Sequence, residues 1–321
     1  MAKIGINAAF LDEGLKARIE AKASAFGHEV VYFETDEAAL QGSNGCEILF
    51  GNFKPEAITA DKSLKWLACS FAGVDKFTSD EIYPNPDVIV TNSAGGYGVT
   101  IAEHMICVAL MMMRRMPEYM AQTAKHGWGI IGEIDSIMRS TITIVGMGDI
   151  GTNFARRAKA MGAACIRGVR RTKKPGDAAY DEVYTIDQLD EAIRGADIVA
   201  LCVPGTDATT HLIDARRLEL MKDGAYLINV GRGWAVDQPA LIAALESGKL
   251  KGAALDVVVP EPLPVDDALW NAPNVLITPH VSGNMTLDVT RDLVVDMFLE
   301  NIEHYSKGEP MRNLVDRKAG Y

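Results

Sequence analysis

The chain has 321 residues, enough for two domains each with its own core, and its 48% hydrophobic and 23% charged residues are ordinary for a soluble globular protein. A net charge of −11 argues against binding nucleic acid or an anionic membrane, since either calls for a basic field. No long apolar signal region precedes the first strand-like residues, and the most apolar stretch, Val99 to Met113, is too short to span a bilayer and carries Glu103 and His104.

In chain order, strand-like runs occur at Lys3–Asn7, Glu29–Phe33, Glu47–Phe50, Leu64–Cys69 and Val88–Thr91, with helical stretches such as Leu15–Phe26 between the early ones. Alternation of this kind favours a parallel sheet with helices on both faces. Small, turn-prone residues cluster at Asn92–Gly98 and suggest a boundary. A long helix follows, from Val99 to about Met116, with Met and Leu at helical spacing that suits a core or a subunit interface.

The stretch Thr141–Gly151, T-I-T-I-V-G-M-G-D-I-G, then joins a β-branched strand to a G-x-G-x-x-G turn. Thr152–Met161 follows as a helix with Phe154, Ala155, Ala158 and Met161 on one face. In such a setting the first glycine allows the turn, the second admits a pyrophosphate, and the third lets helix pack on strand. Unpaired N–H groups and the positive end of the helix dipole face the phosphates. Gly146, Gly148, Asp149, Ile150 and Gly151 therefore form a candidate dinucleotide cradle.

Alternation resumes with strands predicted at Cys165–Val169, Asp197–Val203, Tyr226–Val230, Ala253–Val257 and Val275–Thr278, and helices at Asp187–Arg194 and at Gln238–Glu246, the latter capped by Asp237. From Asn284 onward, Leu287, Leu293, Val294, Met297, Phe298 and Ile302 make a helical stripe with Thr290 its polar member, on a helix able to return the chain to the first domain. The two runs together predict an α/β protein of two doubly wound parallel sheets. Five cysteines, Cys46, Cys69, Cys107, Cys165 and Cys202, are odd in number and lack C-x-x-C spacing. They read as small core residues in a reducing cytoplasm, with neither a disulfide framework nor a metal site.

The strand after the glycine helix bears on the cofactor. An NAD site places Asp or Glu at its end, about 20 residues beyond the glycines, to bind the ribose. Here that end reads G-V-R-R-T-K-K, with Val169 in the acid's place and Arg170 and Arg171 after it. Guanidinium forks suit a 2′-phosphate, so NADP is favoured, with NAD as the second choice.

Three later segments each put a titratable or charged residue just after a strand: L-I-N-V-G-R-G with Arg232, A-L-D-V-V-V-P-E-P-L-P with Asp256 and Glu261, and V-L-I-T-P-H-V-S-G with His280. Carboxyl ends of strands in open α/β sheets are where ligands bind. Singly, Arg232 reads as a surface ion-pair partner, Glu261 as a loop charge and His280 as a loop histidine. Together, behind a nicotinamide site, they read as carboxylate binding plus acid–base work.

These segments resemble the D-isomer-specific 2-hydroxyacid dehydrogenase family over nearly the whole chain. The motifs that carry the resemblance are G-M-G-D-I-G (Gly146–Gly151), M-K-D-G-A-Y-L-I-N-V-G-R-G (Met221–Gly233), A-A-L-D-V (Ala253–Val257), E-P-L-P (Glu261–Pro264) and N-V-L-I-T-P-H-V-S-G (Asn274–Gly283), with F-A-G-V-D (Phe71–Asp75) and A-E-H (Ala102–His104). The resemblance implies that Arg232, Glu261 and His280 are the catalytic Arg–Glu–His set. It also implies that Asp256 meets the nicotinamide carboxamide, that Val203, Pro204 and Val230 line the cofactor cleft, and that Ala72, Gly73 and Val74 help Arg232 hold the substrate carboxylate. It further implies a Rossmann cofactor domain, residues 94–283, inserted into a flavodoxin-like substrate domain made of residues 1–93 and 284–321, with the active site in the cleft between. Members are usually homodimers joined through the cofactor domain, which would account for the apolar Val99–Met116 stretch. The added regulatory domain of long phosphoglycerate dehydrogenases is not expected, because the chain ends soon after the return helix.

The expected reaction is reduction of a 2-keto acid to a (2R)-hydroxy acid by hydride from NADPH. His280 is the proton donor, Glu261 favours and orients its imidazolium, and Arg232 grips the carboxylate. Formate dehydrogenase chemistry is a weaker reading, because a Glu–His pair is useful mainly for moving a proton. The alternative from another class is a dehydrogenase-like NAD(P)-sensing binding module of the corepressor type, which would bring disordered tails that are absent here. The loop Phe50–Phe53 and residues Phe71, Tyr97 and Met285 are candidate pocket residues.

Overall fold

The computed structural model describes residues 1–172 and 177–320. Lys173 and Lys174, the end of the G-V-R-R-T-K-K run, lie outside the described residues. The chain falls into two compact units, one made of Met1–Tyr97 with the segment from Asn284 onward, the other of Gly98–Gly283.

The first unit opens with β1 (Lys3–Asn7), α1 (Glu13–Ala25), β2 (Glu29–Tyr32), α2 (Asp36–Gly42), β3 (Ile48–Gly51), α3 (Pro55–Ala60), β4 (Trp66–Cys69) and β5 (Ile89–Thr91). The strands pair in parallel in the order β2-β1-β3-β4-β5, the flavodoxin-like arrangement. Asp12 and Thr35 start α1 and α2 by accepting from the N–H groups of Leu15 and Ala38.

In the second unit, α4 (Gly98–Met113) and α5 (Met116–Thr123) stand where the sequence predicts one helix to about Met116. Arg115 adopts a left-handed φ of 55° and Pro117 opens α5, so the chain turns there. Then come β6 (Thr141–Val145), α6 (Asp149–Ala160), β7 (Cys165–Arg170), β8 (Glu182–Thr185), α7 (Leu189–Ile193), β9 (Ile198–Leu201), α8 (Ala215–Leu220), β10 (Ala225–Asn229), α9 (Gln238–Glu246), β11 (Leu250–Leu255) and β12 (Val275–Ile277). All pair in parallel, in the order β12-β11-β10-β9-β6-β7-β8, which is the Rossmann winding extended by one strand. β8 is a strand that the sequence reading lacks; E-V-Y-T is short and nowhere fully buried.

The chain closes with α10 (Asp288–Lys307), which packs back into the first unit. Its Val294, Val295, Met297, Phe298 and Ile302 are buried, and the Phe298 ring stacks on Phe50 at 3.9 Å. Leu287, predicted in that stripe, instead precedes the helix at its N-cap and is exposed. Phe50 and Phe53 are core residues rather than pocket walls, each 1% exposed. On α6, Phe154, Ala155 and Ala158 are fully buried while Met161 lies past the helix end and is exposed. Cys46 and Cys69 are buried and Cys165 and Cys202 half-buried, but Cys107 is exposed, because its face of α4 turns outward with Leu110 and Met111.

Among the described residues, no helix is long and apolar enough to cross a membrane, and no three His, Cys, Asp or Glu side chains gather as metal donors.

Candidate active site

The glycine turn lies at the point where the seven-stranded order reverses, between β6 and β9. Gly146 has φ +107°, and a Cβ there would stand 2.4 Å from the Cys202 carbonyl oxygen. A Cβ on Gly151, in the first turn of α6, would stand 2.1 Å from the Gly146 carbonyl oxygen. Both glycines are therefore required by the fold itself. Gly148 is different, since a Cβ there would meet nothing within 4 Å.

Among the described residues no side chain caps α6, whereas α1, α2, α8 and α9 are capped by Asp12, Thr35, Asp214 and Asp237. The first N–H groups of a helix have no intrahelical partner. Here they open beside the space that Gly148 leaves, and a pyrophosphate fits such a cradle. The Asp149 carboxylate does not compete for it: Oδ1 accepts from Asn153 Nδ2 at 2.9 Å, and a Cβ on Gly98 would fall 2.4 Å from the same oxygen. Asp149 and Ile150 thus offer backbone to an anion rather than side chains.

Val169 is fully buried in the core that also holds Val145, Leu189 and Leu201. Its side chain is spent on packing, and β7 ends one residue later at the half-buried Arg170, with Arg171 exposed beyond it.

Arg232, Glu261 and His280 follow β10, β11 and β12, which are neighbours in the sheet. The fold thus gathers them at one carboxyl edge. Arg232 Nη1 donates to the Gly231 carbonyl at 2.8 Å. His280 Nδ1 and Glu261 Oε2 are 2.8 Å apart, with the two side chains 51% and 39% exposed. Glu261 Oε1 accepts the Val258 N–H at 3.2 Å, which fixes the carboxylate from behind. His280 holds φ 52°, and its N–H donates to the Asp256 carbonyl at 2.9 Å. A histidine in left-handed backbone, held by its neighbours, is a strained residue of the sort that collects at functional sites.

Asp256, 3% exposed, organises that loop. Its Oδ1 accepts from Thr278 Oγ1 at 2.6 Å and from the Val281 N–H at 2.9 Å, and its Oδ2 accepts from the Ser282 N–H and hydroxyl. Burial pushes its carboxyl up, but the Ser282, Thr278 and backbone bonds outweigh this and hold it below the usual carboxylate range. Val203 and Val230 are buried just past the ends of β9 and β10, while Pro204 is exposed in a loop that folds against Trp234 and Arg232 at Gly205.

Ala72, Gly73 and Val74 belong to the first unit, just past β4. Asn92 Nδ2 donates to the Ala72 carbonyl at 2.9 Å and the Phe77 N–H to that of Val74 at 2.7 Å. In the same unit Tyr97 is buried, with its hydroxyl donating to the Ser70 carbonyl at 2.6 Å and lying 3.7 Å from Met285 Sδ.

Residues 106–282 match the sequence model of the D-isomer specific 2-hydroxyacid dehydrogenase NAD binding domain. The chain belongs to that family. It is 31% identical over 276 residues to a glyoxylate/hydroxypyruvate reductase A of Salmonella newport, covering 83% of this chain and 85% of the relative. A D-isomer specific 2-hydroxyacid dehydrogenase from Xanthobacter autotrophicus Py2, solved with NADPH and MES, is 29% identical with a TM-score of 0.83, covering 100% of this chain and 99% of that one. An NADPH-dependent glyoxylate/hydroxypyruvate reductase from Sinorhizobium meliloti, solved with NADP and sulfate, is 26% identical with a TM-score of 0.84 over 100% of both chains.

For a member of this family, the residues that sequence reasoning missed are those that hold the site rather than form it. Thr278 and Ser282 fasten Asp256, and Gln238 accepts the Val259 N–H at 3.2 Å beside Glu261. Asn229 fastens the turn that bears Arg232. Each is polar and lies within a few positions of a motif end, which is the one signal the sequence offered.

Proposed function

We propose that the protein reversibly reduces a small 2-keto acid, of the glyoxylate or hydroxypyruvate type, to the (2R)-hydroxy acid, with NADPH preferred to NADH. The observation that carries this reading is the 2.8 Å contact of His280 with Glu261, on the strand ends next to Arg232. The Salmonella and Sinorhizobium relatives support the substrate class, and the NADPH- and NADP-bound Xanthobacter and Sinorhizobium structures support the cofactor.

Bound reduced nicotinamide supplies the hydride. Arg232 takes the substrate carboxylate with its planar fork. His280, with Nδ1 occupied by Glu261, holds the transferable proton at Nε2 and gives it to the carbonyl oxygen as negative charge builds there. In the oxidation direction the same nitrogen takes the proton back. Glu261 keeps the ring from turning. The N–H groups of Gly148, Asp149, Ile150 and Gly151 take the pyrophosphate, Val203, Pro204 and Val230 flank the nicotinamide half, and Arg170 and Arg171 take the 2′-phosphate. Asp256 holds the His280 loop and faces the carboxamide.

The protein works as a cytoplasmic homodimer joined through the second unit. Supporting this are a mostly apolar groove that includes Leu110, Met111, Met116 and Ile134 with Arg114 as its charged member, and the exposure of Trp128 and Ile130. The test is a panel of keto acids, from glyoxylate and hydroxypyruvate to bulky aliphatic and aromatic ones, run with NADPH and NADH in parallel. Turnover fastest with a small keto acid and NADPH is expected. Binding of the dinucleotide with no turnover on any keto acid would instead favour a sensing module.

A further inference from the structure

The turn that carries Arg232 is held from three sides. Gly231 and Gly233 lie so close to neighbouring backbone that a Cβ would fall 2.6 Å from the Val203 carbonyl oxygen and 2.2 Å from that of Val258. Arg232 between them is extended, with φ −143° and ψ 142°. The third constraint is Asn229, the fully buried last residue of β10. Its Nδ2 donates to the Arg232 carbonyl at 2.8 Å and its Oδ1 accepts the Gly231 N–H at 3.1 Å.

The same residue reaches the proton donor through its main chain. The Asn229 carbonyl accepts the Asp256 N–H at 3.0 Å, and the Asp256 carbonyl accepts the His280 N–H at 2.9 Å. A continuous hydrogen-bonded path therefore runs from the Arg232 carbonyl to the His280 backbone, and its one link made by a replaceable side chain is the Asn229 amide.

We propose that Asn229 is a positioning residue, setting where the Arg232 guanidinium stands relative to His280. This rests on the reading that Arg232 holds the substrate carboxylate. A carboxamide is what the place demands, because it carries a donor and an acceptor on one planar group. Aspartate has the same shape and accepts from Gly231, but turns an oxygen toward the Arg232 carbonyl and pushes the turn open. A shift of about 1 Å in a substrate-holding group is enough to cost on the order of 100-fold in rate.

The experiment compares wild type, Asn229→Asp, Arg232→Lys and the double variant, with keto acid as the varied substrate, NADPH affinity by fluorescence titration, and thermal unfolding alongside. Asn229→Ser is the second variant should Asn229→Asp fail to fold. The expected result is a roughly 10- to 100-fold fall in kcat/KM, mostly through KM. NADPH affinity stays within about twofold, and the substitution costs less than about threefold when Arg232 is already Lys, since coupled residues are not additive. Wild type that reduces no keto acid removes the reading underneath, and this proposal falls with it. An active wild type whose Asn229 variants keep their kcat/KM, lose NADPH affinity in equal measure, or show losses that add to that of Arg232→Lys overturns the positioning role alone. Failure of both Asn229 variants to fold makes the residue structural and overturns it too.

Discussion

His280 Nδ1 meets Glu261 Oε2 at 2.8 Å although the two residues are 19 positions apart and follow different strands. The contact occupies Nδ1, and in the proposed reaction Nε2 is the nitrogen that exchanges a proton with substrate. Keto-acid reduction takes up a proton and hydroxy-acid oxidation releases one, so kcat/KM for reduction should fall with rising pH and that for oxidation should rise. His280→Ala should flatten both profiles and lower the rate by about 10²–10⁴, the usual contribution of a general acid–base group. Glu261→Gln should slow both directions with NADPH affinity unchanged. Profiles of His280→Ala that keep the wild-type shape would show that another group moves the proton.

The glycine turn separates two kinds of need. Gly148→Ala meets no protein atom within 4 Å, so unfolding midpoints should match wild type while NADPH binding weakens. Gly151→Ala drives a methyl to 2.1 Å from the Gly146 carbonyl oxygen and should destabilise the protein itself. Calorimetry and fluorescence titration of the pair decide it. Equal effects on stability would mean that Gly148 is as structural as Gly151.

Arg170 ends β7 next to the buried Val169. A charge-assisted bond to phosphate contributes about 1.5–3 kcal/mol, so Arg170→Ala or Arg171→Ala should weaken NADPH by roughly 10- to 100-fold and leave NADH nearly untouched. Kinetics with both cofactors measure this, and equal losses would take the arginines out of 2′-phosphate recognition.

Much of this was legible before any coordinates. The β-branched run, the three glycines and the helix after them announce a dinucleotide turn, because strand, turn and helix are consecutive in the chain. The gathering of Arg232, Glu261 and His280 is not local. It depends on β10, β11 and β12 lying side by side, which strand spacing suggests but cannot order. Asn229 was harder still, since a side chain that bonds backbone across a turn leaves no periodicity. The break at Arg115 was readable in principle from Pro117, but the apolar run of methionines masked it.

The outward face of α4 and α5 should join two copies. Met120 and Ile134 are 60% and 49% exposed, and neither contributes to the core of the unit. Sedimentation of the 34.7 kDa chain should give a dimer, and Met120→Glu with Ile134→Glu should give a folded monomer. A wild-type monomer at all concentrations, or a variant that stays dimeric, would place the interface elsewhere or nowhere.

His104 links α4 to the His280 loop, its Nε2 lying 3.4 Å from Thr278 Oγ1, the hydroxyl that donates to Asp256. Burial pushes its pKa below the ordinary 6.5, and the attraction of Asp256 only partly opposes this. The native state therefore resists a proton that the unfolded chain accepts near its reference value of about 6.5. Above that value both states are neutral and stability is unaffected. As pH falls below it the unfolded chain binds more protons, so stability declines until the native ring is itself protonated. His28 is shifted the same way by burial and adds to the slope. His104→Gln keeps a polar group near Thr278 without a titrating ring, so urea midpoints measured from about pH 7.5 to pH 5 should fall less steeply than in wild type, with the His28 part remaining. An unchanged slope would mean that His104 takes up its proton as readily in the folded protein as in the unfolded chain.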